Sequence, residues 1–148
     1  MNLFDSLAVS GSALLAERQR SEVIATNMAN AETTHTEAGG PYKRREVVFA
    51  ARQPSMFQLV LSTAGHAGGP TPGSVRVSNV IDDPSPAVKR YEPGHPDADK
   101  SGYVEYPAIN PVTEMVDLMG SVRAYQLNAS AVAAAKQMIQ QSIDILKS

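Results

Sequence analysis

The residues best suited to chemistry lie between His95 and Gly102, where the chain reads HPDADKSG. Asp97, Asp99, Ser101 and Gly102 fall at the first, third, fifth and sixth places of a calcium-loop pattern, which needs oxygen ligands at those offsets and a glycine for the turn. That pattern also needs a bidentate glutamate at its twelfth place. Here that place holds Ala108, preceded by Pro107, and no helical sequence flanks the segment. The segment therefore reads as a polar turn whose aspartates hold nearby backbone N–H groups. His95 with Asp97 has the form of a base and its orienting acid, but no nucleophile stands in a recognisable motif. His35 and His66 lie in separate loops without metal-ligand spacing, and cysteine is absent. No catalytic, cofactor or metal site is expected, and no enzyme.

Lys43, Arg44 and Arg45 form the other charged feature. No aromatic interleaving or glycine-rich cradle accompanies them, so they read as a solvated or acid-paired edge rather than a phosphate site. A net charge of −2 adds no general attraction to nucleic acid. No apolar run approaches the roughly 18 residues of a membrane span. The opening MNLFDSLAVSGSALLAE lacks a basic start and carries Asp5, so a cleaved secretory signal is not expected.

The elements that would carry these residues are set by punctuation. All ten prolines lie between Pro41 and Pro111, and eight of the ten glycines between Gly39 and Gly102. Both ends are free of such breakers, and the middle is dense with them. Asn110 can cap free backbone donors and Pro111 suits a first helical turn, which opens a long helix running to the end of the chain. Its three-four seam is Met115, Leu118, Val122, Tyr125, Ala129, Val132, Lys136, Ile139, Ile143 and Leu146. A second series, Gly120, Ala124, Leu127, Ala131, Ala134, Met138 and Ile145, lies on the far side. A helix apolar on two faces expects neighbours on both.

Asn2 to about Ala31 reads as the second long helix, with Phe4, Leu7, Gly11, Leu14, Arg18, Ser21, Ala25 and Met28 in its seam and Ile24 beside it. Residues 27–36, NMANAETTHT, end it: asparagine tolerates a left-handed cap and threonine favours extended backbone. Strands are expected over 46–51, 57–62, 75–82 and 87–91, with a turn-rich loop at 64–73. The expected fold is α+β. Residues 1–35 and 107–148 would form a discontinuous helical domain, and 36–106 an extended linker with a small β-rich insert.

Four segments taken in order, ATNMANAETTHT, GGPYKRREVVF, YEPGHPDADKSGYVEYPAIN and EMVDLMGSVRAYQLNAS, resemble the bacterial flagellar basal-body rod proteins, above all those of the proximal rod. Asn27, Ala29, Asn30 and Thr33 match the motif closing the first helix in that family. His95, Pro96, Asp97, Asp99, Gly102 and Tyr103 match its turn, and Glu114, Met115, Arg123, Tyr125 and Asn128 its last helix. The resemblance implies a structural subunit that assembles helically to carry motor torque, with an axial helical domain and an outer insert. Its implied partners are other copies of itself, other rod proteins, and the adjacent export-gate and basal-body base proteins. It places the chain in the rod within the periplasm, exported with no cleaved signal. On this reading Leu7, Leu14, Ile24 and Met28 of the first helix form the assembly interface with Met115, Leu118, Val122, Tyr125, Ala129, Val132, Ile139, Ile143 and Leu146 of the last. The alternatives are a soluble coiled-coil adaptor whose insert binds a ligand, and a calcium-dependent secreted protein.

Overall fold

The computed structural model describes residues 3–52, 60 and 73–147. Helix α1 spans Leu3–Ala29 and helix α2 Pro111–Lys147, with strands β1 (Arg45–Ala51), β2 (Val75–Asp82), β3 (Val88–Tyr91) and β4 (Tyr103–Tyr106) between them. The expected strand over 57–62 and loop over 64–73 lie outside the described residues apart from Val60 and Gly73. No helix among the described residues is long and apolar enough to cross a membrane.

Helix α2 begins as its sequence directs. Asn110 Oδ1 accepts the Val112 N–H at 3.0 Å, and the Asn110 carbonyl accepts the Glu114 N–H at 3.1 Å. Pro111 sits where its missing N–H leaves nothing unpaired. At about 1.5 Å per residue, the 37 residues of α2 extend roughly 55 Å.

Helix α1 closes differently from expectation. No described residue other than glycine has a positive φ, so no asparagine adopts the left-handed cap. Instead Asn30 folds back, its Nδ2 and its backbone N–H both donating to the Thr26 carbonyl at 2.9 and 3.1 Å. Thr33 then donates to the Asn30 carbonyl, and the chain runs on extended. The side-chain amide does the work that a left-handed residue would otherwise do.

Strands β1 and β2 form one two-stranded sheet, and β3 and β4 another. Arg52 N–H to Ser74 O, and Asp83 N–H to Arg44 O, each at 2.7 Å, flank the first pair and make it antiparallel. In the second pair Val88 faces Tyr106, Lys89 faces Glu105, Arg90 faces Val104 and Tyr91 faces Tyr103. Lys89 Nζ and Glu105 Oε1 meet at 3.2 Å across it. Strand β4 is not among the strands expected from the sequence. Its period-two pattern, with Val104 and Tyr106 buried and Tyr103 and Glu105 exposed, is the signal that identifies it.

The chain divides into two compact units. The terminal unit is Met1–Gln19, Phe49–Ser78 and Val122–Ser148; the junction unit is Arg20–Val48 and Asn79–Ser121. Among the described residues the terminal unit buries Ala16, Ser74 and Ala135, and the Val75 N–H donates to Ser12 Oγ at 3.0 Å. The junction unit buries Ile24, Val104 and Tyr106 together with three polar residues, Asn27, Glu114 and Ser121.

Candidate assembly surface

Those buried polar residues are drawn together by the end of α1, the approach to β1 and the start of α2. Asn27 is 0% exposed, and its side chain makes four hydrogen bonds. Nδ2 donates to the Arg45 carbonyl at 2.8 Å and to Glu114 Oε2 at 3.2 Å. Oδ1 accepts from the Arg45 N–H at 2.9 Å and from the Tyr42 hydroxyl at 3.2 Å. An amide has two donors and two acceptor lone pairs, so its capacity is filled. Burial, with Asp82 and Glu114 nearby, pushes the Tyr42 hydroxyl above its ordinary range against the opposing charge of Arg45. It therefore remains a donor.

Glu114 is 1% exposed, and its Oε1 accepts from Arg44 Nε at 2.6 Å. Arg44 also donates to Glu46, with Asp83 at 3.7 Å and Asp117 at 3.9 Å. Burial disfavours its charge, but the bonds to Glu114 and Glu46 outweigh that and hold the guanidinium pKa above its ordinary value. Of the basic patch, Arg44 is thus acid-paired, and Arg45 Nε lies 3.7 Å from Asp82. Two turns further along α2, Ser121 is 0% exposed and its Oγ lies 2.9 Å from Ser21 Oγ. The two bonded pairs, 27 with 114 and 21 with 121, show that α1 and α2 run antiparallel here.

The buried side of α2 is therefore offset from the expected seam. Glu114, Ser121 and Ala135 are buried where Met115, Val122 and Lys136 were expected. Of the expected interface residues, Ile24 is buried, and Leu7, Leu14, Met28, Leu118, Ala129, Val132 and Ile139 are half-buried. Met115, Val122, Tyr125, Ile143 and Leu146 are exposed.

This offset turns the amphipathic rule around. At about 100° per residue, Val112, Val116 and Met119 lie opposite Ser121, flanked by Met115, Val122 and Leu127. All six are exposed, Met119 at 67% and Val116 at 63%. The first turns of α2 bury Glu114 and Ser121 and show Val112, Val116 and Met119, with Arg123 and Gln126 following on the outward side. Val112, Val116 and Met119 belong to neither expected series, since the seam begins at Met115 and the second series at Gly120. Fully burying a Val or Met side chain gains about 1.5–3 kcal/mol, so covering this partly exposed patch is worth on the order of 5–10 kcal/mol. Association costs are of the same order, about 4–15 kcal/mol, so a single such contact is weak and several together are needed.

The turn after β3 is built from its own hydrogen bonds. Asp99 Oδ1 accepts from the Ser101 and Tyr103 N–H groups at 2.7 and 2.9 Å. His95 Nδ1 accepts from the Asp97 N–H at 3.1 Å, and Asp97 Oδ2 accepts from the Thr34 hydroxyl at 2.7 Å. Gly102 has φ +81°, and a Cβ there would come within 2.9 Å of the Tyr91 ring. Pro96 and Tyr103 are exposed, and Tyr103 meets Tyr91 edge to face at 5.3 Å. The polar-turn reading accounts for Asp99, whereas Asp97 ties the turn to Thr34, sixty-three residues earlier. Ala29 is exposed, and Thr33 Oγ1 donates to Asn30 Oδ1 at 3.2 Å.

A family model described as the C-terminal part of the flagellar basal body rod FlgEFG proteins matches residues 100–145, which take in β4 and nearly all of α2. The "Flagellar basal-body rod protein FlgC" of Borreliella burgdorferi is 37% identical across 99% of both chains. That of Bacillus subtilis is 38% identical across 99% of this chain and 100% of its own, and that of Salmonella typhimurium 35% across 98% and 96%. The chain belongs to the FlgC family of flagellar basal-body rod proteins. As a member of the FlgC family it is a structural protein of the basal-body rod and not an enzyme. Within it the asparagine motif has a physical task, because Asn27 ties the end of α1 to both the approach to β1 and the start of α2.

Proposed function

We propose that this chain builds the proximal rod by burying the exposed face of α2 against neighbouring subunits, so that motor torque passes through many packed side chains rather than through one site. The observation that carries this reading is the inverted amphipathicity of α2: polar residues inside, Val112, Val116 and Met119 outside. Its neighbours would be further copies of itself, other flagellar rod proteins, and the export-gate and basal-body base proteins next to the rod. The helical parts, 1–35 and 107–148, would form the axial layer and 36–106 the outer one. Contacts that repeat head to tail without closing give a helical tube rather than a ring. The site would be the rod within the periplasm, reached by export without a cleaved signal. The interface would draw on Leu7, Leu14, Ile24 and Met28 as well as on the expected α2 seam.

Met119→Asp and Val122→Asp test this. Each places a charge where a neighbour would have to bury it unpaired, while the side chain stays in water in the isolated chain. Basal bodies purified from either strain should lack the subunit, and the cells should not swim, while the free protein's unfolding midpoint stays unchanged. Normal swimming with both variants would overturn the proposal and favour a self-contained adaptor.

A further inference from the structure

Where the last turns of α1 meet the first turns of α2, the inward side of α2 carries Glu114, Leu118 and Ser121, and that of α1 Ser21, Ile24 and Asn27, so only two large apolar side chains stand among small and polar ones. Small residues pack against small residues almost equally well after a shift of one helical turn, about 5.4 Å. The apolar terms therefore discriminate poorly between registers. The connections impose little either, since α1 ends at Ala29 and β1 begins only at Arg45. What differs sharply between registers is the polar set. Only in the observed one does Asn27 Nδ2 meet Glu114 at 3.2 Å, Arg44 Nε meet Glu114 at 2.6 Å, and Ser21 Oγ lie 2.9 Å from Ser121 Oγ. One turn along in either direction, Glu114 would be buried away from both partners, which costs several kcal/mol for an uncompensated charge.

We infer that Asn27, Arg44 and Glu114 are positioning residues that set the register of the last turns of α1 against the first turns of α2. They do so mainly by penalising every other register, as a buried asparagine does in a coiled coil. The register fixes which turns of α1 and α2 lie opposite one another, and so how far along the axis the outward-facing apolar residues of α2 are carried relative to α1. The inference concerns the single chain and holds independently of the assembly reading.

The absence of cysteine makes the register directly readable. Ser21→Cys is combined in the full-length protein with Ser121→Cys for the observed register, or with Leu118→Cys or Tyr125→Cys for shifts of about one turn. Dilute protein is oxidised mildly, and intramolecular cross-links are quantified by mass spectrometry. With Arg44 and Glu114 in place, the 21–121 link should dominate. Arg44→Met with Glu114→Leu removes both charges at similar volume while Asn27 keeps its bonds to Arg45 and Tyr42. Such a replacement leaves stability near its starting value or raises it. In that background the 21–118 and 21–125 links should rise about tenfold relative to 21–121, the ratio that 1.4 kcal/mol of lost discrimination gives. A 21–121 link that stays dominant in a stably folded double variant would overturn the inference. So would loss of all cooperative unfolding in that variant, which would make the cluster a source of stability rather than of register. Glu114→Gln, which keeps an acceptor for Asn27, should retain the 21–121 link, and its failure to do so would also count against the assignment.

Discussion

The junction unit and the terminal unit use similar helices to opposite ends. In the junction unit three of the buried positions of α1 and α2 are polar and partnered, beside the apolar Ile24: Asn27 fills its hydrogen-bonding capacity, Glu114 holds Arg44, and Ser121 meets Ser21. In the terminal unit the buried helix positions are the alanines Ala16 and Ala135, while Phe4, Leu15, Leu127, Ile145 and Leu146 are exposed. Polar partners are specific but contribute little net stability, whereas apolar area stabilises without choosing a geometry. The junction unit thus has its polar interior satisfied within the chain, while the terminal unit lacks such a cluster among its described residues. Both leave apolar side chains exposed, Val112, Val116 and Met119 in the first and Leu127, Ile145 and Leu146 in the second.

The comparison breaks most decisively at Glu114. Glu114→Leu alone leaves the Arg44 guanidinium without its closest buried carboxylate and Asn27 without one acceptor, which should destabilise the junction unit by about 3–5 kcal/mol. Chemical denaturation should show this as a lower midpoint. Amide exchange should speed up across 20–48 and 79–121 and change little across 3–19 and 122–147. Equal acceleration in both would mean that the two units do not differ in the way described.

A smaller effect is expected at Gly102, where the left-handed backbone and the Tyr91 ring both exclude a side chain. Gly102→Ala should cost about 1–3 kcal/mol, confined to the β3–β4 hairpin. Exchange of the paired amides of Arg90 and Val104 would report it. If their protection is unchanged, the turn is not under the constraint that its φ implies.

The long helices were legible because breakers and caps are local signals: Asn110 and Pro111 announce α2 in the chain itself, and Asn110 caps it as expected. The strands at 45–51, 75–82 and 88–91 were legible from β-branched runs between turns. Strand β4 was missed because its four residues fall within a stretch that reads as turn, and its pairing with β3 spans the whole 92–102 connection. The buried face of α2 was out of reach for a different reason. Periodicity arguments take the inside to be apolar, and at Glu114 and Ser121 it is not. The partner that makes Glu114 tolerable is Arg44, seventy residues earlier, and no local pattern joins the two. That Arg44 would be solvated or acid-paired was readable; that its acid would be buried on α2 was not.

The finest test of whether the junction unit stands alone lies at Asp99. The Tyr103 N–H, with the Ser101 N–H beside it, holds this carboxyl below its ordinary value of 3.8, with burial opposing only in part. A depressed carboxylate pKa contributes stability that is present above the unfolded value and is lost as pH falls through the folded one. The turn should therefore be intact at pH 5 and loosen only below the ordinary carboxylate range. In the isolated chain, the amide proton shifts of Ser101 and Tyr103 should move together, with a midpoint below 3.8. Asp99→Asn should abolish that movement while leaving the shift of Ser85, which answers to Asp83, in place. A midpoint at the ordinary value would mean that the turn is unformed in the free chain. The self-sufficiency ascribed to the junction unit would then belong to the polar cluster around Asn27 alone.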